Sequence, residues 1–204
     1  TGGKFENAQL DIVSNKESTL APGVSENQYT VYDKNGDQVK MYVATADISL
    51  DSVNMFASYK DMDPTNFGIS KLTEQVAAFN QKAAAGDEYY QGTVVAGINA
   101  SYYNMTTGQP TGVFVMNGVV GTSAESAGYF AIMKDGTAKI GVKGDYASDK
   151  DNIQEAVGIY TMLIQDGKIC AGLDAKTKYV RQTIGITADG KVITMTADGS
   201  QAPV

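Results

Sequence analysis

Histidine does not occur in the 204 residues. Its absence excludes a Ser-His-Asp or Cys-His nucleophile system and any histidine-ligated zinc or iron site. Cysteine occurs once, at Cys170, so an intramolecular disulfide and a cysteine metal cluster are excluded as well. Its neighbours Ile169 and Ala171 predict a small buried apolar side chain rather than a reactive thiol. Arginine is also single, at Arg181. Basic charge is scarce: 16 Lys and Arg stand against 23 Asp and Glu, a net charge of −7 without long blocks of one sign. Nucleic acid, which needs a basic face, is not an expected partner. No apolar run approaches the roughly 20 residues that cross a bilayer, so no membrane span is expected. None of the glycines falls into a phosphate-loop or dinucleotide pattern. Chemistry is left to carboxylates, one guanidinium, lysines, tyrosines and amides.

What is present reads mostly as strand and turn. Hydrophobic residues make up 43% of the chain, enough for a sizeable core and too many for a disordered tail. Asn-Gly or Asp-Gly pairs recur at Asn35, Asn117, Asp135, Asp166, Asp189 and Asp198, between stretches rich in Val, Ile, Thr, Tyr and Met. Such pairs favour tight hairpins because both central residues tolerate positive φ. The first five predict hairpins joining 29–32 to 39–47, 113–116 to 119–120, 130–133 to 138–140, 160–164 to 168–171 and 183–187 to 191–197. The flanks do not repeat at a fixed period, so a propeller is not supported.

One helix stands out, because Leu72, Val76, Phe79 and Ala83 fall on a single face. Ser70 is the expected cap at its start and Gly86 at its end. The following segment 94–99 is nearly all apolar, as a strand buried on both faces would be. Strand, helix and buried strand in that order imply a crossover, so the expected class is α+β: a strand-dominated mixed sheet with hairpins and at least one packed helix. Residues 1–24 are weakly patterned and read as an N-terminal arm, 25–204 as one domain, and 141–152 (GVKGDYASDKDN) as a surface loop. The chain starts at Thr1 rather than Met, which suggests a processed product or a piece of something longer.

Candidate chemistry gathers first where the predicted buried strand ends. Asn99, Tyr102, Tyr103 and Asn104 place amides and phenols at a sheet edge, where a sugar is gripped by stacking and hydrogen bonds. A structural Asn that ties down the loop is the alternative. Asn99 and Asn104 also open Asn-x-Ser/Thr glycosylation patterns, although a buried Asn99 could not carry a glycan. Arg181 stands before a strand and offers a planar fork of donors for phosphate or carboxylate, with a surface salt bridge as the alternative. Asp198 should emerge at the end of a strand, as a functional carboxylate or as part of a turn. The acids Asp145, Asp149, Asp151 and Glu155 supply the hard oxygen ligands that suit calcium, or form a solvated loop; they lack the EF-hand spacing. Asp61 and Asp63, ahead of Pro64, predict a turn.

Four segments in order carry a resemblance: 96–103 (AGINASYY), 108–121 (GQPTGVFVMNGVVG), 129–136 (YFAIMKDG) and 181–199 (RQTIGITADGKVITMTADG). Together they resemble the phosphodiester glycosidase family, with its Asn-Gly-x-Phe-Phe turn, Gly-x-Pro-x-Gly segment and hairpin, and Arg-x-x-Ile-Gly strand leading to Asp-Gly. Residues 40–50 (KMYVATADISL) are similar to the family's first long strand. The resemblance implies hydrolysis of a sugar 1-phosphodiester, with Asp198, Arg181 and Asn99 as catalytic positions and Tyr102, Tyr103, Gly112 and Thr183 as substrate-binding ones. Arg181 would hold the leaving phosphate, Asn99 orient a hydroxyl or phosphate oxygen, and Asp198 act on the anomeric side as base or nucleophile. No metal or other cofactor is implied. Where the family continues Asp-Gly with Arg, this chain has Ser200. The family also continues into further segments, so the resemblance implies a split or nicked domain whose remainder is a second chain or was lost. The expected setting is a secreted or cell-surface bacterial protein acting on a sugar-phosphate or glycan. A non-catalytic carbohydrate-binding or surface-assembly module on the same fold is the alternative, and a structural β domain of an adhesin a third.

Overall fold

The computed structural model describes residues 10–33, 36–173 and 179–198. Among these described residues twelve strands make two five-stranded sheets and a small ribbon. Sheet one runs in the order β1 (Leu10–Ala21), β2 (Val24–Asp33), β3 (Gln38–Ala46), β12 (Val192–Asp198), β11 (Arg181–Ile186). Sheet two runs β5 (Val119–Thr122), β4 (Phe114–Met116), β8 (Ile153–Ile159), β6 (Gly128–Met133), β7 (Ala138–Val142). The ribbon is β9 (Ile164–Gln165) with β10 (Lys168–Ile169). The fold is strand-dominated with a packed helix, as expected, but among the described residues every pairing is antiparallel where a mixed sheet was expected.

The turn pairs do join strands. At Asn117-Gly118 and Asp166-Gly167 both residues take positive φ, between 49° and 72°, which matches the right-handed twist of the strands they connect. At Asp135-Gly136 and Asp189-Gly190 only the glycine is left-handed. There the aspartate instead uses its carboxylate: Asp135 accepts from the Thr137 amide at 3.0 Å and Asp189 from the Thr187 hydroxyl at 2.5 Å. Asn35 lies outside the described residues, although β2 and β3 on either side of it are paired. Gly199 of the last pair also lies outside them. Asp63 accepts from the amide and hydroxyl of Thr65, forming the turn expected ahead of Pro64.

Two strands were not anticipated. Residues 10–21 of the expected arm form the edge strand β1, in register with β2 from Leu10↔Asp33 to Ala21↔Val24. Its turn needs Gly23 at φ 81°, because a Cβ there would stand 2.6 Å from Leu50 Cδ1. The central strand β8 of sheet two carries Gln154 and Glu155 inside an apolar run, which hid it from hydrophobic patterning.

Sheet two is buried on both faces through strand alternation. Val113 and Val115 join Tyr129, Ala131, Tyr146, Ile153 and Ala156 in one core cluster. Phe114 and Met116 face the other way, into a cluster with Ala57, Met62, Phe79 and Tyr90. Phe79 comes from α1 (Leu72–Ala84), the predicted helix. Its N-cap is Lys71; Ser70 lies one residue earlier and donates to Glu74 Oε2 at 3.1 Å, and the Lys71 amide donates to the same oxygen at 2.9 Å. Gly86, at φ 81°, follows the helix end as expected. The expected loop 141–152 contains the end of β7, the single-turn helix α2 (Tyr146–Asp149) and a 3₁₀ turn, Lys150–Asn152. Tyr146 is buried there. Cys170 is half-buried, not buried, because it follows the two-residue strand β10, which covers little.

The largest departure is segment 94–99, which is neither a strand nor buried. Residues 93–100 run without turn or bend, most are exposed, and among the described residues no backbone hydrogen bond reaches them. Val94 packs on the α1 cluster, and Gly97 passes so close to Leu72 that a Cβ would lie 3.3 Å from its Cδ2. The composition is that of a central strand, but no neighbouring strand flanks it among the described residues.

Candidate functional site

Two groups of expected site residues occupy two places in the fold. The first surrounds the end of the unpaired segment. Asn99 is exposed, contrary to the buried position expected, and among the described residues makes no hydrogen bond. Both Asn-x-Ser/Thr patterns are therefore at the surface. Asn104 has an exposed side chain whose Oδ1 accepts from the amides of Thr106 and Thr107 at 2.8 and 3.1 Å. Between them Ser101 adopts φ 58°, a left-handed conformation that costs a β-substituted residue energy and turns the chain sharply.

That turn docks the loop on sheet two. Gly112 and Gly158 approach so closely that a Cβ on Gly112 would lie 2.9 Å from the Gly158 Cα and 3.4 Å from Ser101 Oγ. Gly112 is buried, so it serves a close backbone crossing here. The Tyr102 carbonyl accepts from the Thr111 amide at 2.9 Å and its hydroxyl at 3.0 Å. Tyr103 bridges to Pro110. Tyr102 sits edge-to-face on Tyr160, with centroids 4.6 Å apart and planes at 72°. Both rings are largely exposed, at 58% and 68%. Patterning around residues 160–164 predicted strand for Tyr160; its position follows the end of β8, and only the packing reveals its partnership with Tyr102.

The second group lies at one end of sheet one. Arg181 begins β11 opposite Ala197, and Asp198 ends β12 opposite Lys40. Thr183 stands two residues along β11, opposite Met195 and half-buried. Arg181 and Asp198 are thus one register step apart on neighbouring strands. Alternation assigns Arg181 to the face of Ala197, and Asp198 to that of Lys40. The guanidinium also lies 5.3 Å from the Tyr179 ring centroid, a cation–π contact.

Three of the four acidic residues considered for calcium, Asp145, Asp149 and Glu155, have carboxylates bonded to protein groups. Asp145 accepts from the Val142 amide at 3.1 Å. Asp149 pairs with Lys139 at 2.5 Å and accepts from the Tyr129 hydroxyl, and these two partners hold its carboxyl below the usual carboxylate range, Lys139 foremost. Among the described residues no group of three or more acidic, Cys or His side chains is arranged to hold a metal.

Glu155 is the buried exception, at 3% exposure in β8. It accepts from the Ala57 amide at 3.1 Å, the Asn117 amide at 3.0 Å and the Tyr89 hydroxyl. Burial pushes its carboxyl up to about 7, against the pull of those donors. Burial first, and then the neighbouring Glu155, hold the Tyr89 phenol well above its ordinary range. Glu155 joins three distant parts of the chain and has little access to a ligand.

A model described as phosphodiester glycosidase matches residues 92–204, a range that contains Asn99, Arg181 and Asp198. No curated protein matches. A similar solved structure is the catalytic domain of zebrafish N-acetylglucosamine-1-phosphodiester alpha-N-acetylglucosaminidase, auto-inhibited by its pro-peptide. It is 16% identical with a TM-score of 0.62, over 97% of this chain and 68% of the zebrafish chain. At that identity the likeness concerns the fold.

Proposed function

We propose that this chain, which belongs to the phosphodiester glycosidase family, hydrolyses sugar 1-phosphodiesters of cell-surface glycans or glycoconjugates outside the cell. Water adds to the anomeric carbon, the bond from that carbon to the phosphate oxygen breaks, and free sugar and a phosphomonoester leave. Arg181 binds the phosphate oxygens through its donor fork, stabilising the charge that the leaving group gains. Asp198 takes the proton of the attacking water or attacks the carbon itself. By the family resemblance alone, Asn99, whose exposed side chain belongs to the other group, would orient a hydroxyl or a phosphate oxygen. Phosphate leaves readily, so one carboxylate suffices where glycosidic chemistry commonly employs two.

The observation that carries this reading is the register of β11 and β12, which sets the only arginine and a terminal aspartate one step apart at the same end of a sheet. Because the two occupy alternate pleat positions, the scissile bond would lie across the rim of the sheet. Hydrolysis of an aryl α-N-acetylglucosaminyl phosphodiester tests it. Arg181→Ala and Asp198→Ala should each lower kcat/KM by about 10²-fold or more with the fold intact. Unchanged turnover in both variants would remove the mechanism; sugar binding without turnover in the wild type would point to a carbohydrate-binding module.

The unpaired segment 93–100 supports a further part of the proposal, that a strand from a second polypeptide chain pairs with it. Apolar residues in a straight run with unpaired backbone are what strand addition uses.

A further inference from the structure

We propose that Tyr160 and Tyr102 form a stacking platform for a neutral pyranose ring, a sugar subsite in which Tyr160 is the specificity-determining residue. The inference rests on the family reading only for its expectation of a sugar; the platform itself rests on packing. Two exposed tyrosines meet edge-to-face at 4.6 Å, an arrangement that leaves a ring face open on the surface. Such a face binds the axial C–H groups of a pyranose, while the phenol reaches its hydroxyls.

The pair is held by its backbone, so little order is lost on binding. On one side, Ser101 at φ 58° and the two Thr111 donors to the Tyr102 carbonyl set the position of Tyr102. On the other, the Ile159 carbonyl next to Tyr160 accepts from the Ser126 hydroxyl at 2.6 Å and the Ala127 amide at 3.1 Å. The Gly112–Gly158 crossing joins the two sides. A ring exposed merely by chance would need none of these fixings. The surroundings favour a sugar over an apolar peptide, because the hydroxyls of Ser101, Thr111 and Ser126 bond the backbone beside the two tyrosines and make the neighbourhood polar.

Saturation-transfer NMR with chitotriose, maltotriose and mannotriose tests the platform on the full chain. At least one triose should bind the wild type, with the strongest transfer at its ring C–H protons. Tyr160→Ala should weaken that binding at least tenfold, and Tyr160→Phe should retain most of it, because stacking does not need the hydroxyl. Circular dichroism checks that each variant is folded, and the exposed position of Tyr160 makes this the expected result. No triose bound by the wild type, or equal binding by Tyr160→Ala, would overturn the platform. So would a dimer that Tyr160→Ala dissolves, since that would assign the rings to a protein contact. Hydrolysis of the aryl phosphodiester is read separately: triose binding without hydrolysis keeps the platform and removes the catalytic reading, whereas hydrolysis without triose binding does the reverse.

Discussion

Glu155 shows how much one side chain can hold together. Its carboxylate ties the Ala57 amide, the Asn117 turn and the Tyr89 phenol to the middle of sheet two. Its folded pKa, about 7, lies above the ordinary 4.5. The folded state therefore holds the proton more tightly than the unfolded chain does. That contribution to stability is fully present below pH 4.5 and is lost as pH rises towards about 7. The predicted effect on unfolding free energy is a loss of up to about 3 kcal/mol across that window. Urea denaturation at pH 4.5, 6 and 8 measures it, with Glu155→Gln as control. The variant should lack this slope, although it should be less stable at low pH because its amide N–H meets a backbone donor. An unchanged slope in the variant would assign the effect elsewhere.

At the scale of elements, hairpins and the helix were legible because local chemistry decides them. An Asn-Gly or Asp-Gly pair bends the chain wherever it falls, and the spacing of Leu72, Val76 and Phe79 turns one helical face inward, with Phe79 buried and the other two half-buried. Segment 94–99 departs from the expected strand for the complementary reason: apolar composition states that a segment needs partners and does not supply them. Its amides are predicted to exchange with deuterium within seconds in residues 1–204 alone, while those of β6 and β8 stay protected. With the proposed second chain bound, the same amides should slow by at least about 10²-fold. Equally fast exchange there would remove the added strand from the proposal. Strand β8 was missed because Gln154 and Glu155 interrupt its apolar pattern, and only the donors that converge on Glu155 make its burial tolerable.

For the whole molecule, the two sheets have separate cores. Val31, Val39 and Ala197 form a small cluster in sheet one, whereas sheet two is packed on both faces by aromatic and aliphatic groups. Sheet one should therefore open at lower free energy. Val31→Ala is expected to cost about 2 kcal/mol. Amide exchange should show faster opening of β2, β3 and β12, with protection in β6 and β8 unchanged. A uniform loss of protection across both sheets would mean that the chain unfolds as one unit.

The sequence by itself determined the turns, the helix and the chemistry available, since no histidine and a single arginine leave few ways to hold a phosphate. These properties reside in individual residues and their immediate neighbours. Tertiary structure decided that Asn99 is exposed, that Arg181 and Asp198 stand one register step apart, and that Tyr160 meets Tyr102. Strand register and the Gly112–Gly158 crossing join residues far apart along the chain. Such contacts depend on the shape and hydrogen bonding of both partners at once, and neither segment carries that information alone.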